Sequence, residues 1–173
     1  MSLDEIVIAP DVVEALVSHA FTSEREECVG LLFGCITPTM LPGGSPVMRA
    51  LVSGLYVLRR ADRRPDRVEV NSDQVAGATK YLEKWQRDAC YINPQLRVIG
   101  WYHSHPHITT HASHVDLRTQ YQYQQYLDKN FFGIILSTFN IDNVKVDQAK
   151  FSNIYFKFHL YSAAVLNCLP FKQ

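Results

Sequence analysis

Apolar positions near the start of the chain recur at helical spacing. Val13, Leu16, Val17, Ala20 and Phe21 fall at i, i+3, i+4, i+7 and i+8 behind Pro10, which predicts a helix over residues 10–21. The pattern then changes to runs. Cys28 to Cys35 is an apolar stretch with two glycines and reads as a buried strand; Val47 to Leu58 reads as another, after the turn-like Pro42-Gly43-Gly44-Ser45-Pro46. Arg59 to Arg67, with five arginines among Asp62, Pro65 and Asp66, reads as a loop, and Val68 to Val70 as a short strand. From Ser72 onward, Val75, Ala78, Leu82, Trp85 and Ala89 repeat at spacings of three and four, the mark of a helix with one packed face, closed by Asn93-Pro94. Leu96 to Tyr102 is predicted as a strand, Ser113 to Asp128 as a helix, and Phe131 to Phe139 and Phe151 to Tyr161 as strands. The last alternates, with Ile154, Phe156, Phe158 and Leu160 on one face and Tyr155, Lys157, His159 and Tyr161 on the other. This order predicts an α/β fold: a mixed central sheet flanked by helices, in a single domain over residues 1–173.

Composition narrows the class. Hydrophobic residues make up 47% and charged residues 20%, as in an ordinary globular chain. A formal net charge of zero removes any bulk electrostatic case for nucleic acid or an acidic membrane. No apolar run is long enough to span a bilayer, and Met1-Ser2-Leu3-Asp4-Glu5 is unlike a signal peptide. Cys28, Cys35, Cys90 and Cys168 form no CxxC pair, so free thiols in a reducing compartment, cytoplasm and nucleus, are expected.

The chemistry concentrates in one segment. Five of the seven histidines lie between His103 and His114, and within them runs His103-Ser104-His105, seven residues, Ser113, two residues, Asp116. Alternate strand residues share a face, so His103 and His105 converge while Ser104 points away. Pro106 is expected to end the strand and to place the pair at a sheet edge. A loop then returns Asp116 from the first turn of the next helix. Two imidazoles and one carboxylate, each about 2.0–2.2 Å from zinc, leave the fourth tetrahedral position open, as a catalytic rather than a structural site requires. Ser113 and Asp116 also read as a capping box, and the two readings are compatible because a cap can orient a ligand carboxylate. Hydrolysis needs a general base as well. Glu24, Glu26 and Glu27 cluster before Val29-Gly30-Leu31-Leu32-Phe33-Gly34, and spacing alone does not choose among them. Cys28 reads as a core cysteine rather than a nucleophile; His107 and His114 read as ordinary polar residues, His19 and His159 as having no functional case, and Tyr121, Tyr123 and Tyr126 as packing or lining a surface.

With these residues in place the chain resembles the JAMM metalloproteases, or MPN-plus domains, over nearly its whole length. Their motif, a glutamate, then His-[Ser/Thr]-His, seven residues, Ser, two residues and Asp, is matched by Glu27, His103-Ser104-His105, Ser113 and Asp116, with Val98-Ile99-Gly100-Trp101-Tyr102 and Pro106 as agreeing flanks. The family's glutamate lies three residues before the glycine of a Gly-Leu strand, which selects Glu27. His-Pro-His-Ile-Thr, Ser-His-Val-Asp-Leu-Arg-Thr-Gln and Thr-Ser-Glu-Arg-Glu-Glu are similar to the BRCC-type branch, the catalytic subunits of BRISC-like assemblies.

The resemblance implies the MPN fold, a Zn2+ ion on His103, His105 and Asp116, and catalytic roles for Glu27 and Ser113. Glu27 would take a proton from water and deliver it to the leaving amine; Ser113 would donate to the developing oxyanion. The implied substrate is the isopeptide bond of ubiquitin chains, with lysine-63 linkage preferred; another ubiquitin-like modifier, a small amide, or a non-catalytic scaffold role are the competing readings. The implied partner is a metal-free MPN-minus pseudoenzyme, held partly by helices after the catalytic domain. The chain ends at Leu169-Pro170-Phe171-Lys172-Gln173 with no such helices, so weak activity is expected of it alone. One departure stands out: His111-Ala112 occupies the place where the family offers Trp-Pro, which alters the substrate-facing loop and brings an extra imidazole close to the ligands.

Overall fold

A computed structural model describes residues 3–40, 44–58, 72–90 and 93–139, together with the backbone of 157–161. Its elements are β1 (Glu5–Ile8), α1 (Pro10–Ala20), β2 (Val29–Met40), β3 (Pro46–Val57), α2 (Ser72–Asp88), β4 (Arg97–Pro106), α3 (His114–Tyr126), β5 (Phe132–Thr138) and β6 (Lys157–Tyr161). The strands form one mixed sheet in the order β1-β3-β2-β4-β5-β6. β2 pairs antiparallel with β3 and β4, β5 antiparallel with β6, and the β1–β3 and β4–β5 pairs are parallel.

Each face of this sheet carries a core. Val12, Leu16 and Ala20 of α1 pack on one side with Leu32, Val52, Tyr102, Ile134 and Leu136. Ala78 and Leu82 of α2 and Tyr123 of α3 pack on the other with Leu31, Phe33, Trp101 and Ile135. The expected mixed sheet with flanking helices is therefore what the chain forms. A bulge adjusts which side chains go where. Leu32 pairs with Gly100 and Phe33 with Val98, leaving Ile99 as the extra residue, and Ile99 joins the α1 side. Beyond it Trp101 falls on the α2/α3 face and Tyr102 on the α1 face.

Three expectations need correction. In α2 the buried line continues from Ala78 and Leu82 to Gln86, while Trp85 and Ala89 are exposed. Gln86 Oε1 accepts the Asn93 N–H at 2.7 Å, so a polar side chain is buried because it caps the chain leading into β4. In α1 the buried line starts at Val12, with Val13 and Val17 flanking it. The third correction concerns the histidine strand. It runs into the histidine pair and ends at Pro106 as expected, but β4 lies between β2 and β5, so the pair is at the end of a central strand and not at an edge. Proline is tolerated there as the last residue; the next donor, His107 N–H, reaches Thr138 O at 2.8 Å. The Arg59–Arg67 loop, the Val68–Val70 strand, residues 151–156, the side-chain alternation of β6 with His159, part of the 42–46 turn, and Cys168 lie outside the described residues.

Candidate metal centre

β4 presents His103 and His105 on the face shared with α3, both almost fully buried at 0% and 3% exposure. Their Nε2 atoms face each other at 3.0 Å. His105 Nδ1 lies 2.7 Å from Thr109 O. A carbonyl only accepts, so Nδ1 carries the proton, and a neutral His105 turns its Nε2 lone pair toward His103. Trp101 stacks on His103 with ring centroids 4.7 Å apart at 20°, which fixes that ring's plane. His103 Nδ1 is buried with no hydrogen-bond partner among the described residues.

Asp116 arrives as expected from the first turn of α3. Ser113 is the N-cap: its Oγ accepts Asp116 N–H at 3.2 Å, while its own N–H donates to Asp116 Oδ2 at 2.7 Å, so the capping box is complete. The box aims the rest of the carboxylate at the histidines. Oδ1 is 3.3 Å from His103 Nε2, and Oδ2 is 3.7 Å from His105 Nε2. Glu27 precedes β2, and its Oε1 lies 3.9 Å from His105 Nε2. All four residues singled out as ligands and base therefore meet at one place, with Ser113 beside them.

The charges respond to one another. Burial pushes the Asp116 carboxyl upward, but hydrogen bonds to His103, His105 and Ser113, with the charge of His103, hold it far below the usual carboxylate range. Burial lowers His105, yet Asp116, the Thr109 carbonyl and the Glu27 charge outweigh it and raise the pKa. A buried ring thus has anions on two sides, and both favour its protonated, cationic form. That is also the environment a divalent cation would find.

The donor set fits zinc. Three donor atoms on His103, His105 and Asp116 lie within 4.8 Å of one another. Donors around a tetrahedral zinc with bonds of about 2.0–2.1 Å stand roughly 3.3 Å apart, against 3.0 and 3.3 Å for the pairs that involve His103. Two imidazole lone pairs at this distance repel unless a proton or a metal ion lies between them.

The remaining predicted residues are elsewhere. His111 is exposed and bonds Thr109 Oγ1 at 3.0 Å, outside the ligand group, while Ala112 packs against the core on the α2/α3 side. His107 pairs with Glu24 at 3.2 Å on the surface, and His114 is exposed in the first turn of α3. Cys28, expected in the core, is only half-buried, with its Sγ 3.4 Å from Thr22 Oγ1. Tyr123 packs on Trp101, while Tyr121 and Tyr126 are exposed. His19 lies away from the ligand group and has a structural contact instead: its Nδ1 is 2.8 Å from the buried Tyr102 hydroxyl. The polar support of Trp101 was missed as well. Its Nε1–H donates to Gln120 Oε1 at 2.9 Å, and Gln120 and Gln124 both donate to Phe131 O. Asp116, Thr119, Gln120, Tyr123 and Gln124 are buried at i, i+3, i+4, i+7 and i+8, a helical stripe made almost wholly of polar residues, which hydrophobic spacing does not pick out.

Residues 1–129 match the family described as JAB1/Mov34/MPN/PAD-1 ubiquitin protease. The chain belongs to this family. Among curated proteins it is 36% identical over 154 residues to "Lys-63-specific deubiquitinase BRCC36" of Camponotus floridanus, covering 89% of the chain and 56% of that protein. The protein of that name from Xenopus laevis is 39% identical over 139 residues, covering 80% and 49%, and the one from Homo sapiens 34% identical over 154 residues, covering 80% and 48%. The chain thus spans about half the length of the curated relatives it matches. The solution structure of a Desulfitobacterium hafniense protein shares the fold, with a TM-score of 0.52 at 19% identity over 92% of this chain and 86% of that one.

Proposed function

We propose that the chain is the catalytic domain of a zinc-dependent deubiquitinase that hydrolyses isopeptide bonds in ubiquitin chains, those linked through lysine 63 of ubiquitin above all. The observation that carries this reading is the convergence of His103, His105 and Asp116 beside Glu27, in a chain similar to proteins named for that activity. His103, His105 and Asp116 would hold the zinc ion, which would supply Lewis acidity, lowering the pKa of water toward about 7 and polarising a carbonyl. The chain's own residues do the rest. Glu27 takes a proton from water and returns it to the departing lysine amine. Ser113, exposed at the N-cap, donates its hydroxyl proton to the oxyanion while its oxygen stays on Asp116 N–H. Thr109 O holds the His105 proton on Nδ1 and keeps Nε2 free to ligate.

A scaffold without catalysis would not need Glu27 placed beside an intact ligand set, which favours the enzyme. An MPN-minus partner subunit and a reducing setting in cytoplasm and nucleus belong to the same reading; Cys28, Cys35 and Cys90 are free thiols. The test is metal content and linkage-resolved chain cleavage for the wild type and Glu27→Gln, with and without an MPN-minus subunit. Glu27→Gln is expected to keep zinc and lose on the order of 10²–10⁴ in rate. Failure of both forms to bind zinc would sink the reading, and wild-type cleavage by Glu27→Gln would remove the assigned base.

A further inference from the structure

Ser104 sits between the two histidines and faces the other way, fully buried toward the α1 side. It makes two bonds to one residue. Its N–H donates to Cys28 O at 2.9 Å, and its Oγ accepts the Cys28 N–H at 2.8 Å. The second bond belongs to the peptide unit that joins Glu27 to Cys28. β2 begins one residue later, with Val29 opposite His103, so the Ser104 side chain extends the hold of β4 on the chain just past the end of the ladder. Ser104 is itself fixed from its other flank by the register of β4 with β5, where it stands opposite Leu136.

We propose that Ser104 is a positioning residue that sets where the Glu27 carboxylate lies relative to His103 and His105. This rests on the reading of Glu27 as the general base. The loop leading to Glu27 has other anchors, Glu26 N–H to Ser23 Oγ at 3.1 Å and the exposed Glu24–His107 pair at 3.2 Å among them, but neither of these bonds the peptide that joins Glu27 to Cys28. Ser104 ties it to the strand that carries the ligands. One residue thus makes the distance from base to ligands a property of a single strand: the face at 103 and 105 holds the metal donors, and the face at 104 holds the base's peptide. Only a short side chain with an acceptor on Cγ's position reaches the N–H, which serine and threonine share and alanine lacks. A displacement of about 1 Å at a reacting group costs on the order of 10²-fold in rate.

The test compares Ser104→Ala and Ser104→Thr with the wild type and Glu27→Gln, all zinc-loaded and with an MPN-minus subunit present, in single-turnover cleavage of lysine-63-linked di-ubiquitin, alongside zinc content and amide exchange of Cys28. Ser104→Ala is expected to keep its zinc and its half-saturation, lower the rate constant by roughly 10–100-fold, and exchange the Cys28 amide at least about tenfold faster. Ser104→Thr should restore both. Zinc loss, a changed half-saturation with an intact rate constant, or unaltered Cys28 exchange in Ser104→Ala would overturn the proposal while leaving Glu27 as base. Wild-type cleavage by Glu27→Gln, or no cleavage by any form, would overturn the functional reading instead, and the exchange data would still decide whether Ser104 holds the peptide.

Discussion

Zinc binding at His103, His105 and Asp116 must displace protons, and the structure fixes the sign of the effect. His105 has a raised pKa in the metal-free fold, so its contribution to stability is complete below 6.5 and is lost as pH rises through the folded value. Asp116 has a lowered pKa, so its contribution is complete above 3.8 and is lost as pH falls through the folded value. The two together favour the metal-free fold in mildly acidic solution. Zinc requires His105 neutral and works against that preference. At a free zinc concentration of 100 times Kd the fold gains about 2.7 kcal/mol, which at about 2–4 °C per kcal/mol raises Tm by roughly 5–11 °C. Below the raised pKa of His105, each pH unit weakens binding by about tenfold, or about 1.4 kcal/mol, and removes roughly 3–6 °C of that gain.

The assay is a set of thermal melts with zinc and with a chelator, at fixed free zinc, from pH 5.5 to 8. The zinc-induced shift should grow as pH rises from 5.5 toward the raised pKa of His105. In Asp116→Asn it should nearly vanish, because the amide oxygen can still accept the Ser113 N–H at the helix cap but no longer brings an anion to the ligand triangle. A shift independent of pH, or one retained by Asp116→Asn, would refute the assignment of these ligands.

Three further expectations are independent of zinc chemistry or bear on its limits. Gly34→Ala should cost about 1–3 kcal/mol or more in denaturant unfolding, because a Cβ there would collide with the Leu51 carbonyl oxygen, which is backbone and cannot swing aside. His19 has its pKa lowered by burial, so stability tied to its neutral form is complete above 6.5 and declines as pH falls through the folded value; His19→Gln should flatten the acid side of the stability profile, and an unchanged profile would count against it. His111→Ala should leave zinc stoichiometry unaltered, since that ring is exposed and bonded to Thr109; reduced zinc would mean it serves as a fourth donor.

What could be read from the sequence was set by spacing. Helix starts, apolar strands and the His103–His105–Asp116 set all follow from periods of 2 and 3.6 and from a capping box, each of which is local. Glu27 was the limit of that method: spacing alone does not separate it from Glu24 and Glu26, the family resemblance selected it, and in the fold its Oε1 lies 3.9 Å from His105 Nε2. The same limit explains the misplaced edge. Pro106 correctly marks where β4 ends, but a strand's rank in the sheet depends on its partners, and β5 pairs with it from 32 residues downstream. Gln86, Gln120 and Gln124 were invisible for a related reason. A polar residue on a buried stripe is read as exposed until its partner is known.

The mixed direction of the sheet is what makes the site possible. β4 and β5 are parallel and joined through α3, so the carboxyl end of β4 opens toward the N-terminus of α3, the usual place for a ligand crevice in such a unit. Asp116 comes from that helix terminus, where its negative charge is also favoured by the helix dipole. A purely parallel neighbour on the other side of β4 would bring its own carboxyl end to this crevice. β2 is antiparallel and instead brings its amino end, with Glu27 just before it. The ligands thus come from a βαβ unit and the base from an antiparallel strand, and both reach one point because β4 is the strand where the pairing direction changes. Because the ligands and the base come from different parts of the chain, the link between β4 and residue 28 is a place where the two halves of the site are held in register.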